Sequence, residues 1–138
     1  MRLVDTSAWV EFLRRKGDTA VKQKVARLLE AEQAVYTCPI RFELLSGVRP
    51  GEAADLESAL RLSSHLPFER DDWTEAARLE RELRAQGVTV PRNDLFVATV
   101  GIRAGLVVTC CDSHFDAVSR ALGNHLRVEQ IQKAKANS

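Results

Sequence analysis

The 138-residue sequence has no excess of charge of either sign: 20 Lys and Arg stand against 19 Asp and Glu, a formal net charge of +1. So close a balance removes the broad basic footprint that marks many nucleic-acid binders, although acids gathered into one pocket would leave the remaining surface net basic. Cysteine is scarce. Cys38, Cys110 and Cys111 lie in apolar stretches with no CxxC spacing and no His/Cys ligand spacing. They read as small core residues of a reduced, cytosolic protein and not as a zinc or redox motif. No apolar run is long enough to span a membrane, and Asp5 and Glu11 interrupt any signal-peptide core. Internal repeats, low-complexity segments and linkers are missing as well. What is present, 45% hydrophobic and 28% charged residues, is the composition of one globular domain spanning 1–138 with a polar tail from about residue 132.

Periodicity orders the chain. Leu3 and Val4 form a short buried strand ended by Asp5, with Thr6 and Ser7 placed to start a helix. Trp9, Phe12 and Leu13 make one helical stripe, Gly17 stops it, and Asp18 or Thr19 caps a second helix through Leu29. Ala34 to Cys38 reads as the second strand, and Pro39 opens a helix carrying Ile40, Phe42, Glu43, Leu44 and Leu45. A helix over about Glu52–Leu62 precedes a short edge strand at Leu66–Phe68, where Pro67 is tolerated. Asp71 and Asp72 open a charged helix to Gly87. Its stripe of Trp73, Ala76, Leu79 and Leu83, with Leu66 and Phe68, offers a two-fold contact. Asn93 and Asp94 cap a helix that is apolar on most faces, and Leu106–Cys111 is the strongest strand, suited to a central position covered on both sides. A helix from about Phe115 and a strand over Leu126–Ile131 complete the series. Strands alternating with helices predict an α/β fold, a parallel sheet with helices on both faces.

Four acids converge in this topology. Asp5 and Asp112 each follow a strand, and the loops that follow parallel strands share one sheet edge, where such folds place their chemistry. Glu43 and Asp94 reach that edge from neighbouring helix starts. Each aspartate also fits a plain helix cap. As a group, however, the carboxylates repel unless something positive sits among them, and no lysine adjoins any of them in sequence. A hard divalent cation with oxygen ligands, Mg²⁺ or Mn²⁺, answers that need, and it suits hydrolysis at a phosphorus centre. A haloacid-type phosphotransferase would need a second aspartate where Ser7 stands. A phospho-receiver would need a lysine after a late strand, and none follows until Lys133.

Val4–Trp9, Pro39–Gly47, Asn93–Ala98 and Thr109–Phe115 together resemble the four signature blocks of the PIN-domain ribonucleases, in the family's order and across nearly the whole chain. The resemblance is closest to the VapC toxins of toxin–antitoxin modules. It implies a three-layer α/β/α PIN-like fold and Mg²⁺- or Mn²⁺-dependent cleavage of RNA to 5′-phosphate and 3′-hydroxyl ends. It also implies inhibition by a cognate VapB-type antitoxin laid over a groove near the Trp9 stripe, and a homodimer. The family's acids map to Asp5, Glu43, Asp94 and Asp112, with Asp5, Asp94 and Asp112 expected to hold the metal and Glu43 to be a further ligand or the orienter of the attacking water. Many members carry a further aspartate where this chain has His114, so either Asp116 replaces that charge or a second metal is held weakly. Thr6, Ser7 and Thr109 are candidates for hydrogen bonds to the substrate or to the acids, and Arg41 and Arg92 for holding substrate phosphates. The alternative is a PIN-like module that binds RNA or a partner without cutting.

Overall fold

The computed structural model describes residues 1–134. β1 (Arg2–Val4) leads into α1 (Thr6–Leu13) and α2 (Thr19–Glu30), then β2 (Ala34–Tyr36), α3 (Cys38–Gly47), a 3₁₀ turn (Pro50–Glu52) and α4 (Ala53–Arg61). After β3 (Ser64–His65) come α5 (Arg70–Ala85), α6 (Arg92–Ala104), β4 (Val107–Cys110), α7 (His114–Ala121) and β5 (Val128–Gln130). The five strands form one parallel sheet in the order β3-β2-β1-β4-β5, with Val4 opposite Thr109 and Thr109 opposite Glu129. β1 holds the middle place and β4 lies between β1 and β5, so both are interior strands, as unbroken apolar runs require. The architecture is the three-layer α/β/α sandwich. Its largest buried side chains include Trp9, Phe115, Leu3, Ile40, Leu56 and Leu83.

Local chemistry sets the element ends. The Asp18 side chain accepts the N–H groups of Ala20 and Val21 and starts α2. Gly105, at φ +65°, closes α6 in the left-handed region. Gly17 is required for another reason: a Cβ there would lie 1.8 Å from the Glu11 carbonyl oxygen.

Several sequence expectations shift. The edge strand is not Leu66–Phe68 but Ser64–His65. The Leu66 N–H makes the last bond, to the Tyr36 carbonyl (2.8 Å), and Pro67 has no N–H with which to continue. Cys38 leaves the second strand to become the first residue of α3 and is exposed, so it is no core thiol; Cys110 is buried and Cys111 partly so. The last strand contracts to three residues. Trp9 sits wholly inside the core, edge-on to Phe12, and lines no groove. Of the expected polar tail, Lys133 pairs with Glu11 (3.3 Å) and the Ala134 N–H donates to Asp18 (3.0 Å); its remainder lies outside the described residues.

Candidate metal centre

Asp5 follows β1 directly. Its N–H donates to the Thr109 carbonyl (2.9 Å), which pins the residue between the two middle strands. Its Oδ2 accepts the Ser7 N–H (3.1 Å) and caps α1, but Oδ1 is buried with no hydrogen-bond partner among the described residues. The residue is 1% exposed. Burial, reinforced by the charges of Asp94 and Asp112, pushes its carboxyl up to about 7 against the Ser7 hydrogen bonds.

Asp94 arrives from α6. It is the third residue of that helix and not its cap, because the helix starts at Arg92 with Pro91 in the capping position and no side-chain cap bond. Pro91 supplies the extended entry on its own, which frees the Asp94 side chain to face the sheet edge. Its Oδ2 lies 2.6 Å from His114 Nδ1. Burial first, then the charge of Asp112, and further down that of Glu43, raise its carboxyl, while the His114 contact works the other way. Asp112 stands two residues past β4, where its Oδ1 accepts the His114 N–H (3.0 Å) and lies 3.6 Å from His114 Nδ1. One donor atom each from Asp94, Asp112 and His114 fall within 4.8 Å of one another. Glu43, one turn into α3, is held by the Thr6 hydroxyl, which donates to its Oε1 (2.8 Å).

The other candidates separate. Ser7 Oγ accepts the Cys111 N–H (3.1 Å), tying the loop after β4 to α1, so Thr6 and Ser7 both position site elements. Thr109 is a correction: it is completely buried and donates to Glu129 (2.8 Å), so no substrate can reach it. Asp116 Oδ2 accepts from the Gln130 amide (3.1 Å) and stands outside the Asp94–Asp112–His114 group. Arg92 is drawn to Glu80 (3.4 Å), and Arg41 lines a groove with Tyr36, Leu45 and Val48. Gln130, which also donates to the Asp112 carbonyl, had no sequence signal because nothing in a strand residue announces its loop partner. The Cys110 thiol, raised by burial and by Asp112 and Asp5, is held protonated behind the acids.

An orphaned buried carboxylate oxygen, acids that raise one another's pKa and an oxygen-rich donor set together fit a divalent cation.

The PIN domain family profile matches residues 2–121. The VapC ribonuclease Mb1587 of Mycobacterium bovis is 38% identical over 128 residues, covering 87% of this chain and 92% of that protein, and ribonuclease VapC11 of Mycobacterium tuberculosis matches to the same extent. Among solved structures, DNA-bound VapBC from Salmonella typhimurium superposes with a TM-score of 0.78 at 16% identity over 95% of this chain and 98% of that one. FitAcB from Neisseria gonorrhoeae gives 0.75 at 21% identity over 93% and 96%. The chain therefore belongs to the PIN-domain family and, within it, to the VapC ribonucleases.

Proposed function

We propose that the chain, one PIN domain acting in the cytosol, is the toxin of a type II toxin–antitoxin pair and hydrolyses RNA phosphodiester bonds with Mg²⁺ or Mn²⁺. The observation that carries the reading is the Asp5 carboxylate, buried at the sheet edge with one oxygen unpaired and the charges of Asp94 and Asp112 upon it. Asp5, Asp94 and Asp112 hold the cation. When bound, a divalent cation supplies an activated water and neutralises charge on the scissile phosphate. Glu43, with Oε1 fixed by Thr6, keeps Oε2 to accept a proton of the attacking water and so orient it. The Thr6 and Ser7 bonds hold the α1 start, α3 and the loop after β4 in one arrangement, so these residues position the acids. No helix among the described residues is long and apolar enough to cross a membrane.

An antitoxin of the VapB type has a place to lie. Phe12 and Leu13 of α1, Leu29 of α2, and Ala59 and Leu62 at the end of α4 line a groove of about 230 Å³. This groove keeps the outer part of the Trp9 stripe after Trp9 itself has gone to the core. A homodimer has a different face, formed by Phe42, Phe68, Trp73 and Phe96.

The test is cleavage of an end-labelled single-stranded RNA by the purified protein with Mg²⁺ or Mn²⁺, with and without the product of the adjacent small gene. The parent cleaves, the antitoxin silences it, and Asp94→Asn loses at least about the hundredfold that even outer-sphere changes reach at metal sites. The metal-free variant melts no lower than the parent, because a repelling charge is removed and no cap bond is lost. Intact RNA under both metals would favour the non-cutting module instead, and full activity in Asp94→Asn would remove that residue from the site.

A further inference from the structure

We infer that His114 is itself a ligand of the cation, through Nδ1, and that this nitrogen turns the site's preference from Mg²⁺ toward Mn²⁺. The inference rests on the metal-site reading above and adds a donor to it. His114 is the first residue of α7, and its backbone N–H is fixed on Asp112 Oδ1 at 3.0 Å. From that anchor the ring turns inward, with Nδ1 at 2.6 Å from Asp94 Oδ2 and 3.6 Å from Asp112 Oδ1. Its side chain is 45% exposed, so the ring enters the cluster from the rim and not from the core. The independent sign that this cluster takes a cation is Asp5 Oδ1, buried and unpaired, on a carboxylate that feels the charges of Asp94 and Asp112.

The chemistry separates the two ions. Mg²⁺ is a hard ion that demands near-octahedral oxygen ligation and gains little from an imidazole, whereas a first-row transition ion accepts imidazole nitrogen readily. With the imidazole beside the carboxylates of Asp94 and Asp112, donor atoms within 4.8 Å of one another, and Asp5 completing the acids, the set is mixed N/O. An aspartate at this position would make the set all oxygen. The competing role for His114 is a positioning one, in which Nδ1–H only donates to Asp94 and never meets the ion.

Pulsed EPR on the metal-free full-length protein loaded with one equivalent of Mn²⁺ distinguishes these roles, alongside competition by Mg²⁺. The parent shows ¹⁴N modulation on the Mn²⁺ signal. His114→Asp and His114→Ala both lack it, and His114→Asp still binds Mn²⁺. The excess of Mg²⁺ that displaces half of the Mn²⁺ falls at least about tenfold in His114→Asp, the lower end of what outer-sphere changes do to metal affinity. Bound Mn²⁺ without nitrogen modulation in the parent overturns the inference and leaves His114 as a positioning residue. Modulation that survives in His114→Ala overturns it as well, by assigning the nitrogen to another group. Failure of the parent to bind Mn²⁺ at all, or binding that Asp94→Asn does not disturb, overturns the underlying metal-site reading together with this one. Neither readout depends on RNA cleavage, so the two failures are told apart.

Discussion

Burial lifts the Asp5 carboxyl from an ordinary value near 3.8 to about 7, and that displacement has a thermodynamic consequence. Between those two values the folded chain holds a proton that the unfolded chain has released. Stability from this group is therefore complete below about pH 4 and is lost as pH rises through about 7. The raised Asp94 carboxyl acts in the same direction. At about 1.4 kcal/mol per pH unit, the metal-free protein loses on the order of a few kcal/mol over that range. Melting curves of the metal-free protein at pH 5 and pH 8 check this: the midpoint falls toward pH 8, and Asp5→Asn, which can still cap α1, flattens the slope. Mn²⁺ restores the midpoint at pH 8 in the parent by mass action. A metal-free midpoint that does not fall from pH 5 to pH 8 would mean that Asp5 is ionised in the fold without strain. Legibility at this scale divides along the backbone. Asp5 and Asp112 could be placed because strand order alone brings strand-following residues to one edge. Asp94 lies at the helix start as expected of a site acid, but the cap also read for it is absent, since propensity cannot tell a capping aspartate from one at the third helical position when Pro91 already starts the helix. With no partner histidine at ligand spacing, His114 reads from the sequence as a packing or substrate-facing residue, because only the inward turn of a ring at the start of α7 brings its nitrogen to Asp94.

The helix that carries Asp94 is itself held by a clamp near its other end. Arg103, near the end of α6, grips Asp72 of α5 with two bonds, Nε to Oδ1 at 2.7 Å and Nη2 to Oδ2 at 2.9 Å, and also donates to the Pro67 carbonyl (2.9 Å). Asp72 is buried and additionally accepts the Glu69 N–H (2.7 Å), so the start of α5, the segment after β3 and the end of α6 meet at one ion pair. Removing the arginine strands a buried charge. Arg103→Met, which keeps much of the stem, is expected to cost about 3 kcal/mol, the low end for breaking a buried pair because Arg103 is itself 31% exposed. Urea unfolding measures the loss; a change under about 1 kcal/mol would mean that solvent screens the pair. Nothing in the sequence foretold this bond, since the two residues are 31 apart and charged residues on amphipathic helices ordinarily face water. The elements themselves were legible, because helical stripes and apolar strand runs are local patterns. Their short ends were not: three-residue strands are set by which N–H finds a neighbouring carbonyl, and that is a property of the sheet. β3 shows it most plainly, lying two residues before the segment that hydropathy favours.

At the scale of the whole molecule the question is which faces remain unsatisfied once the domain has closed. The charged stripe of α5 resolves into two parts: Ala76, Leu79 and Leu83 turn into the core, while Trp73 stays out. Trp73 forms an edge-to-face triangle with Phe68 and Phe96, ring centroids 4.8 to 5.4 Å apart. Phe42 of α3 extends the patch, at 67% exposed beside Trp73 at 58%. Such a cluster on three different helices and a loop is costly to leave in water and has the composition of an interface centre. It borders Asn93, next to Asp94, so a second copy docked there would set two acid clusters against one shared surface. A two-fold contact suits it, because each aromatic group can fill the shallow hollow of about 280 Å³ on the other chain. Light scattering of the free protein at micromolar concentration should therefore give twice the chain mass. Phe42→Lys, outside the ring triangle, should leave the melting midpoint nearly unchanged, whereas Trp73→Lys should lower it modestly, since it removes ring contacts of about 0.5–1.5 kcal/mol each. Each should also weaken association by about 2 kcal/mol or more, roughly thirtyfold in Kd. The antitoxin groove beside α1, α2 and α4 is lined by other residues, so silencing by the small partner should survive both substitutions. A parent that scatters as a monomer at that concentration would rule out the aromatic face as a homodimer contact.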